Sequence, residues 1–431
     1  HWGGLETKMT HPTTSAAHVY GKPLIAAEAF TNVGIRWDEH PFTLKHQADR
    51  HFALGINHLI FHTYTHNPDP NVVPGTSFGS RIGTPFLRGQ TWWKHMPLFT
   101  EYLARCALML QQGQPVSDVL WYLGDDLDHK PRQDSPFPSG YQFDYLNFDA
   151  LVHRIRVVDG RLQTEDNTTW KVLWLPTAQC RRLTPATIGH IKELLHDGAT
   201  VVGEAPAMNP SLSGGSIDGL VHELWGETPA ESGDRRVGKG RLLWGHDLGT
   251  TLDGLGIQPD VSGTPSSRWC HRTTGQSEIY FITADRATPL QANLSFRAEG
   301  TPEFWDPMTG TVTPVSVYHQ ARGRTRIPVD LPAAGSMFVV FREVSHHESR
   351  AGLSVVRVER DGRILADASD RERIDHSTAY PSFGLTPDDV LQPWVEPTPL
   401  RYAIVGNDLL AWANGTYTCL LYTSDAADDL A

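Results

Sequence analysis

Cysteine is scarce in this 431-residue chain: its four cysteines, Cys106, Cys180, Cys270 and Cys419, stand far apart and never form a CxxC pair. That spacing supports neither a zinc site nor a disulfide framework, and the compartment is not readable from it. Positive charge is thin as well. The formal net charge is −12, with no long basic run, so the phosphate-neutralising footprint of a nucleic-acid binder is missing. No apolar run approaches the ~20 residues of a membrane span. No Gly-rich phosphate loop ending in Lys-Ser or Lys-Thr occurs, and no GxGxxG stands at a strand–helix turn, so nucleotide binding has no support. Cys180 follows an apolar strand, but Thr177-Ala-Gln-Cys180-Arg-Arg lacks the small Gly neighbours that a strained nucleophile turn requires.

Hydrophobic residues make up 39% and charged residues 20%, a globular balance with material for sizeable cores. At about 150 residues per domain the length suggests three domains. The 13 tryptophans fit sugar-binding clefts, although packing in cores is the commoner use of Trp.

The most telling stretch is Ser15–Thr31: a short helix, a Gly21-Lys22-Pro23 turn, then an apolar strand ending in Glu28. An unpaired carboxylate costs several kcal/mol in an apolar interior, so such a strand ends in Glu28 where it opens into a polar site. Barrel enzymes carry their acids and bases at the C-terminal ends of parallel strands. The alternative is a glutamate paired with an arginine at a sheet edge.

Residues 1–124 alternate helix and strand: helix Thr13–Tyr20, strand Leu24–Glu28, helix Pro41–Leu54, strand Asn57–His62, helix Thr91–Gln112 and strand Val116–Leu123. This spacing indicates a parallel sheet, read as the C-terminal half of a (β/α)8 catalytic barrel. The long Pro- and Gly-rich loop Asn67–Gly89 is anomalous unless it builds a site. Residues 125–262 read as a doubly wound α/β domain, flavodoxin-like or amidotransferase-like. Its helix Thr184–Asp197 opens on an N-cap Thr and a Pro at the first turn and closes at Gly198. From 263 to 345 the period switches to two, with short strands joined by Gly, Pro and Asp turns, the signature of a β-sandwich. Residues 346–416 read as the start of a further β domain. Residues 417–431 resemble non-native read-through, and the start at His1 without Met or signal segment suggests an internal piece of a larger protein.

Around Glu28 gather the candidate substrate contacts. His62, Tyr64 and His66 cluster at the end of the Asn57–His62 strand. Neighbouring strands lie about 5 Å apart, so His62 and Tyr64 could reach a ligand held by Glu28. A core histidine bonded to a backbone carbonyl is an equal reading of His62. Trp92 and Trp93 offer a stacking surface or packing against the barrel. Asp144 suits a cleft loop or a cap for the helix that starts at Phe148. Glu6 precedes the Thr13 helix as Glu28 precedes the Pro41 helix, and stands as a second strand-end acid. Glycosidic cleavage ordinarily needs two carboxylates, one to protonate the leaving oxygen and one to activate water or attack directly.

Together, Ser15–Thr31, Asp49-Arg50-His51-Phe52 with Gly55-Ile56-Asn57, and Phe61-His62-Thr63-Tyr64-Thr65-His66 resemble glycoside hydrolase family 106, the α-L-rhamnosidases. Pro74-Gly75-Thr76, Thr91-Trp92-Trp93, Gly140–Asn147 and Gly198–Gly203 extend the resemblance, which covers roughly residues 1–345. It implies an N-terminal barrel with accessory α/β and β-sandwich domains. It also implies release of terminal α-L-rhamnose with inversion, and a calcium ion near the sugar whose ligands the residues do not assign. Glu28 then matches the glutamate of the family's Ala-Glu-Ala-Phe-Thr-like segment as a catalytic acid or base. Glu6 falls where the family often has a further acidic strand end, though this chain has Gly-Gly-Leu-Glu there rather than Glu-Phe-Trp. Inversion would set the two carboxyls about 6.5–9.5 Å apart. Export to the periplasm or outside the cell accompanies a polysaccharide substrate. A barrel without its early strands exposes sheet edges, so little turnover is expected of residues 1–431 alone. The rival readings are a non-catalytic carbohydrate-binding or scaffold protein and another exo-glycosidase, such as a β-galactosidase-like enzyme.

Overall fold

The computed structural model describes residues 10–342 except 33, 35–36, 70, 74, 76–81, 126–136, 213, 228–229 and 264–267. It also describes the strand segments 357–360, 363–367, 401–405 and 408–412. The chain divides into two compact units. The first comprises 1–7, 24–113 and 263–431; the second comprises 8–23 and 114–262. Helix α1 (Thr10–Val19) therefore belongs to the second unit.

In the first unit, β1 (Ala26–Ala29) leads through a loop to α2 (Pro41–Phe52), β2 (His58–Phe61) and α3 (Met96–Leu110). β1 and β2 pair in parallel, with Glu28 opposite Ile60 and Ala29 opposite Phe61. Alternation puts Ala27, Ala29, Leu59 and Phe61 on the buried face. There Phe30 packs its ring against Phe61, Phe86 and Phe99. The helix expected from Thr91 begins instead at Met96, after a short 3-10 turn at Trp93–His95. Pro97 fits the first turn, where its missing N–H costs nothing.

In the second unit, α1 packs on β4 (Phe143–Leu146) of a six-stranded sheet. The other strands are β3 (Val119–Tyr122), β5 (Val172–Leu175), β6 (Thr200–Gly203), β7 (Gly233–Val237) and β8 (Gly240–Trp244), in the order β7-β8-β6-β5-β3-β4. Only β7 runs antiparallel to its neighbour. β3 was expected among the barrel strands, as was α1. All four β3 residues are buried: Leu120 and Tyr122 lie in the core on one face, Val119 in the core on the other. A parallel strand covered on both faces reads as a plain apolar run, which does not tell one parallel sheet from another. Helix α4 (Pro185–Asp197) follows the expected bounds. The Thr184 side chain accepts from the Thr187 N–H, and Gly198 closes the helix at φ 120°.

The first unit resumes with antiparallel strands β9 (Arg268–Thr273), β10 (Ser277–Thr283), β11 (Leu290–Phe296), β12 (Thr301–Trp305), β13 (Arg324–Leu331) and β14 (Ser336–Arg342). β12, β14, β10 and β9 are neighbours in that order in one sheet, while β11 pairs with β13 in another. A buried polar knot joins helices to sheet. Lys45 of α2 donates to Asp49 (2.6 Å), the Ala334 carbonyl (2.9 Å) and Ser336 Oγ (2.8 Å). Tyr102 of α3 donates to Asp49 and lies 2.7 Å from Ser336 Oγ. Lys45 also sits 4.7 Å from the Tyr102 ring centre. A buried charge is tolerable only when paired and hydrogen-bonded, and each charge here is both. The further β residues form two antiparallel pairs, Arg357–Arg360 with Arg363–Asp367 and Arg401–Val405 with Asp408–Trp412. The 417–431 tail lies outside the described residues.

Candidate active site

β1 carries Glu28 on the face opposite its buried alanines, so the side chain keeps 36% of its surface exposed. His62, one residue past β2, brings Nε2 to 3.6 Å from Glu28 Oε1. That is just beyond a hydrogen bond, a gap that often tightens once a ligand is bound. The His62 N–H donates to the Ala29 carbonyl at 3.0 Å, which extends the β1–β2 ladder by one step and sets the imidazole beside the carboxylate. Gly83 has φ +89°, and a Cβ there would stand 2.6 Å from His62 Nδ1 and 2.9 Å from its carbonyl. Only glycine lets the loop approach the histidine this closely.

The structure thus brings Glu28 and His62 together. Tyr64 is half-buried and meets Trp93, with ring centres 6.2 Å apart and planes inclined at 32°. His66 is exposed on the loop that follows. Trp92 is buried, edge-on to Phe86, so packing and not an open stacking surface is its role. Glu6 lies outside the described residues.

Asp144 requires a correction. It sits in β4 of the second unit, 1% exposed. Its Oδ1 lies 2.7 Å from His18 Nδ1, and its Oδ2 accepts from Trp170 Nε1 at 2.9 Å. Burial pushes this carboxyl up, but the charge and hydrogen bond of His18, with His11 and Trp170, outweigh it and hold the group below the usual range. An enclosed carboxylate with both oxygens engaged anchors α1 and Trp170. It does not cap the following helix; the Asn147 side chain does, accepting from Ala150 N–H.

Two residues escaped the sequence reading. Glu39 is 7% exposed, accepts from Thr84 Oγ1 at 2.6 Å and is bonded by the Asn32 amide. Thr84 is wholly buried. Glu39 stands just ahead of the Pro41 that opens α2, where an acid reads as a helix-start residue. Its bond to Thr84 spans 45 residues of sequence and leaves no local signal. Among the described residues no three His, Cys, Asp or Glu side chains come together as a cation site.

Known proteins share this chain's pattern. A family model for glycoside hydrolase family 106, described as alpha-L-rhamnosidase, matches residues 6–320. A Formosa agariphila protein provisionally named a beta-glucuronidase is 34% identical over 348 residues, 78% of this chain and 28% of that protein. The solved structure of a rhamnosidase from Novosphingobium sp. PP1Y is similar with a TM-score of 0.72 at 30% identity, covering 82% of this chain and 34% of its own. The chain spans about a third of the length of these relatives.

Proposed function

The chain belongs to glycoside hydrolase family 106, and we propose that within its full-length protein it supplies Glu28 to a site releasing terminal α-L-rhamnose. The carrying observation is the half-open Glu28 carboxylate at the end of a parallel strand, with an imidazole nitrogen at 3.6 Å. On this reading Glu28 is one of two carboxylates of an inverting reaction, as acid or base, and Glu6 is the proposed partner. His62 donates to the Glu28 carboxylate or to a sugar hydroxyl, and Tyr64 with Trp93 forms one wall of the sugar site. The β1–β2 pair is read as part of a (β/α)8 barrel, the six-stranded sheet as an amidotransferase-like domain, and the antiparallel sheets as a β-sandwich. The proposed polysaccharide or rhamnosylated substrate places the protein outside the cytoplasm.

The test is hydrolysis of an aryl α-L-rhamnoside by the full-length protein, with and without chelator, beside the Glu28→Gln variant. An aryl β-glucuronide belongs in the same assay, because of the name carried by the Formosa agariphila relative. Rhamnoside turnover lost in Glu28→Gln supports the proposal, and preferred turnover of the glucuronide overturns the substrate. Rhamnose binding without turnover by a folded protein would favour the carbohydrate-binding reading.

A further inference from the structure

We infer that Thr84, held by Glu39, is a positioning residue that fixes Glu28 against His62; the inference rests on the glycosidase reading above. The β1–β2 register ends at Ala29 and Phe61, with one further ladder bond from the His62 N–H to the Ala29 carbonyl, and past that bond strand pairing no longer sets the distance between the two chains. Thr84 takes over. Its backbone N–H donates to the Phe30 carbonyl at 2.9 Å and to the His62 carbonyl at 3.1 Å, and its own carbonyl accepts from Thr63 N–H at 3.1 Å. One residue therefore clasps the chain just beyond both strand ends. Gly83, its neighbour, donates to the Asn32 carbonyl at 2.9 Å.

The clasp is itself anchored by a charge. Thr84 Oγ1 lies 2.6 Å from Glu39 Oε2 and 3.1 Å from the Phe30 carbonyl. With one proton to give, the hydroxyl favours the carboxylate, since bonds to a charged acceptor are the stronger. The other Glu39 oxygen takes the Asn32 amide. Burying a carboxylate is costly unless it is well bonded, and both oxygens of Glu39 are spent on the segment after β1 and on Thr84. The segment is under strain as well: Phe30 holds φ +65° without being glycine. Such a conformation persists where surrounding bonds over-determine it. Here the Phe30 carbonyl is bonded by Thr84 and its ring is enclosed by Phe61, Phe86 and Phe99. A strained residue and a doubly bonded clasp, itself held by a buried charge, thus converge within two residues of Glu28 and His62.

The experiment compares Thr84→Val, which keeps shape but removes the hydroxyl, with Thr84→Ser, which restores it, in the full-length protein. Misplacing a catalytic group by about 1 Å can cost ~100-fold in rate. Thr84→Val is expected to lower kcat by roughly 10- to 100-fold with KM nearly unchanged, and Thr84→Ser to recover most of it. A lower melting temperature with unchanged kcat per folded molecule overturns the inference. Should Thr84→Val not fold, Glu39→Gln takes its place, and unchanged kcat there overturns it equally. If the wild type hydrolyses no glycoside offered, the glycosidase reading fails by itself. The clasp is then judged from the His62 imidazole titration, followed by NMR in histidine-labelled protein. A midpoint that moves in Thr84→Val, and does not move when Glu28→Gln is already present, supports the inference; an unmoved midpoint overturns it.

Discussion

In β1 of the first unit, Glu28 keeps 36% of its side chain exposed and meets one imidazole at 3.6 Å. In β4 of the second unit, the Asp144 side chain keeps 2%, lies 2.7 Å from His18 Nδ1 and accepts from Trp170. Both are single acids on four-residue strands with a parallel neighbour. The difference is in what surrounds them. Asp144 has its hydrogen-bonding capacity used by its own unit, so its free energy is committed to holding α1. Glu28 keeps a third of its side chain open to solvent, the condition a group must meet to act on a ligand. A carboxylate's task is thus set by how far the fold has enclosed it.

Breaking each acid should expose that contrast. In the full-length protein, Glu28→Gln is expected to lower kcat by about 1,000-fold, within the range of general acid–base contributions, while the thermal midpoint hardly moves. Steady-state kinetics beside a melting curve checks both halves. Asp144→Asn should do the reverse: about 2–3 kcal/mol of stability lost, the scale of hydrogen bonds to a charged group, with kcat per folded molecule intact. Denaturant titration followed by Trp fluorescence reads the loss. A variant that fell in kcat but not in stability would return Asp144 to the substrate site.

Acid should act on the folded core before it acts on carboxylates. Burial, then the Arg50 charge, lowers the His51 pKa to about 3 from 6.5. The unfolded chain therefore takes up a proton between those values that the folded chain refuses. The stabilisation is whole above pH 6.5 and declines by about 1.4 kcal/mol per pH unit below it, reaching about 2 kcal/mol at pH 5. His11 in the second unit is lowered in the same direction, chiefly by burial. Melting temperatures across pH 7 to 5, with and without His51→Gln, measure this; a flat profile in the wild type contradicts it. The smallest effect expected is Thr184→Ala, which removes the α4 cap at about 1 kcal/mol. Its denaturant midpoint should move far less than that of Asp144→Asn.

What the sequence made legible was local. Thr184, Pro185 and Gly198 bound α4 because capping chemistry acts within one turn, and Ser336–Arg342 forms a strand with the expected bounds. Two strands a helix apart also put His62 within reach of a ligand held by Glu28, but did not tell that histidine from a core one. Allegiance between sheets did not follow, since β3 is apolar on both faces. Asp144 and Glu28 are each the single acid of a short strand, and the groups that enclose Asp144 arrive from distant residues. The Lys45 knot hid behind a residue type that normally marks a helix's wet side. The Glu39–Thr84 bond joins two loops that no period connects.

The placement of α1 bears on inheritance. The chain passes from the second unit to the first at Pro23–Leu24, back at Gly113–Gln114, and again at Ser262–Gly263. Neither unit is encoded by one uninterrupted stretch, so a single recombination event could not exchange either one whole. A crossover between α1 and β1 would give β4 a helix from another lineage, leaving His18 and Asp144 to be matched anew.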